Sequence, residues 1–167
     1  MGEALPGQTY GIANQTLLMQ PFTIVMDRHE VRNNTAVLAD ARDLIYPIGA
    51  GETITWRMVL FFGGAGDVQI GFFTPAAPAS GGFLITWTQP GGATGSAVGV
   101  FAAYNLAFAQ VENSAAGGDE YMAILEGRLF NGPNSGYFRL QWAQVAGVPV
   151  NSFLLAGSRM DIWKFAP

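Results

Sequence analysis

Apolar and polar positions alternate with a period of two along much of this chain, the spacing expected of strands that bury one face. The clearest case is Tyr121 to Phe130. There Tyr121, Ala123, Leu125, Gly127 and Leu129 share one face, and Met122, Ile124, Glu126, Arg128 and Phe130 the other. A second run follows, in which Phe138, Leu140 and Trp142 share a face and Arg139 and Gln141 relieve it. Between them lies NGPNSG, 131–136, where Gly and Asn accept positive φ and Pro133 pre-sets a turn. This pattern predicts a β-hairpin over 121–145. A second hairpin is expected where ITWRMVLFF, 54–62, meets VQIGFF, 68–73, across the turn GGAGD. In ITWRMVLFF, Trp56, Met58, Leu60 and Phe62 fall on one side, and Val59 and Phe61 on the other.

Shorter candidate strands are Phe22 to Val31, Leu38 to Ile48, Phe83 to Thr88 and Phe153 to Phe165. The small-residue stretch Ala97 to Val111 reads as a strand rather than a helix, since Gly99 disfavours a helix and its neighbours are strands. Gly-rich turns recur roughly every 8–12 residues, which indicates about eight to ten strands in an all-β sandwich or barrel. Residues 1–20 carry neither periodicity. They read either as a frayed terminus or as an extended arm that orders on a neighbouring subunit. Leu5, Tyr10, Ile12, Leu17, Leu18 and Met19 favour the arm. The rest, 21–167, is expected to be one domain.

Composition changes the picture in one respect. Half of the residues are hydrophobic and only 12% are charged, about half the usual share. Such a sparse surface implies either a membrane or burial against other subunits. No apolar run reaches the ~18–20 residues of a membrane helix, and the first ten residues lack the basic and apolar stretches of a secretion signal. Burial in an assembly is therefore expected. The net charge is −4, and the seven Arg and one Lys are scattered, so no basic patch is expected to neutralise phosphates and no nucleic-acid partner is expected. There is no cysteine.

Candidate chemistry is sparse. His29, the single histidine, lies between Asp27 and Glu30, but no serine sits in a GxSxG elbow, so it reads as a surface or hydrogen-bonded residue. Asp40 and Asp43, and the adjacent Asp119 and Glu120, read as solvated loop charges rather than a glycosidase pair. No DxDxDG-like run suggests calcium, and GGAGD is not a phosphate loop. The N-glycosylation patterns NQT and NNT carry little weight without a secretion signal. No enzyme activity, cofactor or metal is expected. Twelve Phe, five Tyr and four Trp exceed what a thin sandwich readily buries, so some are expected at a subunit interface or on a sugar-stacking platform.

Three segments carry a resemblance: DLIYPIGAGETITWRMVLFFGGAGDVQIGF at 43–72, GRLFNGPNSGYFRLQWAQV in the second half, and LAGSRMDIW at 155–163. Together they resemble a family of tailed-phage virion proteins in which a hairpin ends in LQWAQ and the last strand begins LAGS. The loop VAGVPVNSF departs from the Ser/Thr/Asn-rich run of that family. The resemblance implies a trimeric jelly roll, related in shape to C1q and tumour-necrosis-factor domains, found in minor tail, fibre and head-associated proteins. It implies no catalytic residue. With a short arm and no shaft, the expected role is a homotrimeric capsid decoration protein on the virion surface, bound to the major capsid protein or other virion proteins. The expected subunit contacts are Tyr137, Trp142, Trp163 and Phe165, with ordinary core packing the other reading of each. Tyr10, Ile12, Leu17, Leu18 and Met19 are the expected capsid-contacting arm residues. The alternative role is a tail or fibre-tip component that recognises a host surface glycan.

Overall fold

A computed structural model describes residues 21–64, 67–76, 80–88, 94–100, 106–111 and 120–164. The proposed arm residues and Phe165 lie outside the described residues. Among those described there are twelve strands and no helix. They are β1 (Phe22–Val25), β2 (Glu30–Asn33), β3 (Ala39–Ile48), β4 (Thr53–Gly64), β5 (Val68–Phe73) and β6 (Ser80–Thr88). They continue with β7 (Thr94–Val100), β8 (Leu106–Val111), β9 (Tyr121–Phe130), β10 (Gly136–Gln144), β11 (Asn151–Leu154) and β12 (Arg159–Lys164). The count exceeds the expected eight to ten because the stretches read as 22–31, 97–111 and 153–165 each hold two strands.

Pairing is nested and wholly antiparallel. β1 pairs with β12, β2 with β11, β3 with β10, β4 with β9, β5 with β8, and β6 with β7. The chain is thus one long hairpin, with its tip at β6–β7, rolled up so that β1–β12 and β2–β11 share the large sheet and the pairs from β3–β10 to β6–β7 fall in alternate layers. β12 joins β4, β11 also joins β4, and β6 joins β9, giving an eight-stranded sheet along β1-β12-β4-β9-β6-β7. β10 joins β5, giving a four-stranded sheet β3-β10-β5-β8. This is a jelly-roll β-sandwich.

The topology corrects both expected hairpins. β9 belongs to the large sheet and β10 to the small one, and likewise β4 and β5. A return within one sheet favours a two-residue turn, whereas the loop after β9 is longer and crosses the ~10 Å between layers. Asn131 fixes that crossing. Its buried Nδ2 donates to the carbonyls of Gly49 (2.6 Å) and Asn134 (2.8 Å), and its own N–H donates to Glu52 O at 2.9 Å. The two crossovers β3–β4 and β9–β10 are thereby tied together. Gly51 takes φ +67° in the same turn, a conformation that favours glycine.

The core lies between the sheets and follows the expected alternation. Ile54, Trp56, Met58, Leu60 and Phe62 of β4 are buried, as are Leu125 and Leu129 of β9 and Phe138, Leu140 and Trp142 of β10. Trp56 is the hub of an aromatic cluster. Its ring lies 5.0 Å from Phe72, 5.3 Å from Phe138 and 6.4 Å from Phe83. Glycines make room for the large rings: Gly127 faces Trp56, Gly99 faces Phe83, and Gly95 faces Trp87. Gly99, read above only as disfavouring a helix, is therefore a packing position beneath a ring.

Candidate functional site

Chemistry on a sandwich can sit in the core or on either outer face. Among the described residues, Glu30 at the start of β2 carries a charge into the core. Its Oε2 accepts the indole N–H of Trp142 at 3.0 Å, and its Oε1 accepts the backbone N–H of Arg42. Arg32 lies over the Trp142 ring at 5.0 Å and 3.8 Å from the Glu30 carboxylate. These bonds satisfy a carboxylate that burial would otherwise penalise. They also remove Trp142 from the expected subunit contacts: it is 0% exposed and cannot reach a partner. Trp56 is equally buried and Trp87 packs against the core, so the surplus of aromatics is smaller than composition suggests.

The residues around His29 do not converge. His29 Nδ1 accepts the N–H of Ala156 at 3.1 Å, Asp27 pairs with Arg28 at 3.4 Å, and Glu30 turns inward. Asp40 and Asp43 lie on β3 rather than in a loop, and pair with Arg139 (2.6 Å) and Arg42 (3.4 Å). Asp119 lies outside the described residues. Among the described residues no three His, Asp or Glu lie close enough to hold a metal ion, and no helix is long and apolar enough to cross a membrane.

A clamp at one end of the sandwich joins β12 to the β3–β4 turn. Glu52 Oε1 receives Lys164 Nζ at 3.0 Å and the Tyr46 hydroxyl at 3.2 Å, while Oε2 accepts the Gly49 N–H at 2.7 Å. Burial alone pushes the Glu52 carboxyl up, but Gly49, Lys164 and Tyr46 outweigh it and hold it below its ordinary 4.5. Burial raises the Tyr46 phenol, and the bonds to Tyr46 and Glu52 raise Lys164, so neither is poised as a base near neutrality. A lowered carboxyl contributes stability that is fully present above its unfolded value and is lost as pH falls through the folded one. Thermal melts should therefore show stability declining with acid below about 4.5, and Glu52→Gln should flatten that decline while lowering stability at pH 7.

The outer face of the eight-stranded sheet is unexpectedly apolar. Val59 and Phe61 of β4 point away from the core, opposite Ile124 and Met122 of β9. Leu84 of β6 (41% exposed) lies opposite Val98 of β7 (77% exposed), and Val25 of β1 lies opposite Arg159. Trp163, half-buried, lies on the same face of β12. Two ion pairs lie among these side chains, Arg57 with Glu126 at 3.2 Å and Arg159 with Asp161 at 3.3 Å. An open pocket of about 290 Å³ sits at one end, lined by Phe61, Thr88, Glu120, Tyr121 and Met122.

The outer face of the four-stranded sheet is of a different kind. Tyr137, 51% exposed, lies two positions from Arg139 on β10, and Phe73 stands beside Arg139 on β5. Tyr137 and Trp163 are thus on opposite outer faces, and one flat interface does not hold both.

The molecule is a jelly-roll β-sandwich whose polar clusters tie strands together and whose distinctive surfaces are its two outer faces. No family model matches the chain, and no curated protein matches it. Among solved structures, the D431N mutant VP2 protein of infectious bursal disease virus, in derived T=1 particles, aligns with it at 12% identity and a TM-score of 0.18. That alignment covers 89% of this chain and 40% of the VP2 chain, and no functional statement rests on it.

Proposed function

We propose that this chain is a non-enzymatic structural protein of a tailed-phage virion, a homotrimer that decorates and stabilises the capsid. The observation that carries the proposal is the apolar outer face of the eight-stranded sheet. Antiparallel sheets exposed to water on one side normally alternate apolar-in and polar-out. Here Val25, Phe61, Leu84, Val98, Met122 and Ile124 face outward around the buried Val59, and Arg57–Glu126 and Arg159–Asp161 among them are ion pairs within the face. An outer face this rich in apolar side chains, with ion pairs set within it, has the character of a subunit contact, and stable contacts bury roughly 800 Å² per partner. The face is broad enough for this, with six strands spaced ~4.8 Å apart. Trp163 lies on this face and belongs to the proposed contact.

The resemblance to phage virion proteins and the low share of charge support the same reading. Residues 1–20, with Tyr10, Ile12, Leu17, Leu18 and Met19, are proposed to bind the shell. Trimers bridging capsomer seams would stabilise the shell by binding its assembled form. The test is imaging of purified virions and of heads lacking tails. The expected result is trimeric density on both, retained when residues 1–20 are present and lost from shells, with the trimer intact, when they are removed. Density confined to tails would refute the capsid role.

A further inference from the structure

The second outer face carries a constellation that self-association through the large sheet does not use. On β10, Tyr137, Arg139 and Gln141 alternate outward, aligned with Phe73 and Gly71 of β5 and with Pro47, Ile45 and Asp40 of β3. Arg139 lies flat against the Phe73 ring, 4.4 Å from its centroid, and 5.7 Å from that of Tyr137. Asp40 holds both polar side chains in place. Its Oδ2 receives Arg139 Nη1 at 2.6 Å, and its Oδ1 receives Gln141 Nε2 at 2.8 Å. Arg139 Nε and Gln141 Oε1 are themselves buried, so what this cluster presents outward is the Asp40 carboxylate and the end of the Arg139 guanidinium.

We infer that this face binds a neutral carbohydrate, with Tyr137 as the stacking ring, Asp40 and Arg139 as the hydroxyl-binding group and Gln141 positioning Asp40. The chemistry fits a sugar in three ways. The exposed phenol ring of Tyr137 presents an apolar surface to the C–H face of a pyranose, and its hydroxyl a polar tip. Beside it stand the part-exposed Asp40 carboxylate and Arg139 guanidinium, an acceptor and a donor side by side, which is what vicinal hydroxyls require. The Arg139–Asp40 pair cancels its own charge, so the site neither attracts phosphate nor demands a charged ligand. The polar groups are fixed by one another and by the Phe73 ring, so little side-chain freedom remains to be lost on binding. Gly71, lacking a side chain next to Gln141, keeps the middle of the face low. The assignment does not depend on the capsid proposal, because it uses the opposite side of the sandwich.

The test is affinity electrophoresis of the full chain in native gels containing a neutral polysaccharide: galactomannan, xylan, glucomannan or soluble starch. Retardation by at least one is expected. Tyr137→Ala should weaken that retardation about tenfold, while Tyr137→Phe, which keeps the ring, should largely retain it. Asp40→Asn should weaken it too, by releasing Arg139. Val150→Ala, in the loop between β10 and β11, should leave it unchanged, and circular dichroism of each variant controls for folding. Absence of retardation by all four polysaccharides would overturn the inference. So would retardation that Tyr137→Ala leaves intact, or retardation only in an anionic polysaccharide such as alginate.

Discussion

Trp56→Ala is expected to lower the unfolding free energy by about 3–5 kcal/mol, the range for removing a large ring from a packed core. That is a large fraction of the ~5–15 kcal/mol that holds a typical domain together. Three rings from both sheets, Phe72, Phe83 and Phe138, close on Trp56, so the vacancy would lie at the junction of the layers and could not be filled by one neighbour. The partner experiment is Gly127→Ala. A Cβ at Gly127 would stand 2.5 Å from the Trp56 ring and 2.7 Å from the Gly82 carbonyl oxygen, closer than real contacts allow. A cost of about 1–3 kcal/mol follows from such overpacking. In the Trp56→Ala background the clash with the ring is gone and only that with Gly82 remains, so the two costs should be less than additive. Urea unfolding at one fixed protein concentration measures all four variants, since the stability of an oligomer depends on concentration. Strict additivity would mean that Trp56 does not rest on Gly127.

How far such packing was legible in advance differs from one feature to the next. The inward faces of β4 and β10 could be read from alternation alone, because the period of two is local and each strand carries it. Partner choice could not. The 121–145 stretch shows two amphipathic arms about a turn, which is the pattern of a hairpin. Nothing local says that β9 will pair with β4 and β6 while β10 crosses to β3 and β5. That decision rests on contacts such as Asn131 to Gly49, 82 positions apart. Glu30 illustrates the same limit. Beside His29 it resembles a loop carboxylate, yet it is buried because the indole of Trp142, 112 positions later, donates to it.

The outer faces divide along the same line. Val59 and Phe61 opposite Trp56 and Met58 already marked a strand apolar on both sides, and that signal survives into the structure. The sugar-binding group was half legible: Tyr137, Arg139 and Gln141 alternate on one strand, but Asp40 joins them from β3 only through register. Trp142 misled because aromatic count was weighed against an imagined thin core. The core accommodates large rings by setting glycines beneath them, as at Gly127 and Gly99.

Ile124→Asp should convert the proposed trimer to folded monomers. Ile124 sits in the middle of the proposed contact, between Val59 on β4 and Thr86 on β6. In a lone subunit the new carboxylate would remain half-exposed, and the cost to folding should be no more than about 1 kcal/mol. In the assembly it would be stripped of water against apolar side chains, with Arg57 and Arg159 already committed to Glu126 and Asp161. An unpaired buried charge costs several kcal/mol, and each 1.4 kcal/mol is about tenfold in association, so a loss of at least roughly a hundredfold is expected. Light scattering coupled to size exclusion would read it as a fall from trimer to monomer mass with unchanged circular dichroism. Tyr137→Ala, on the other side of the sandwich, should remain trimeric while losing sugar binding, which separates the two faces in one pair of variants. A wild-type chain that runs as a monomer, or an Ile124→Asp chain that stays trimeric, would place the subunit contact elsewhere and leave the apolar face without its proposed cover.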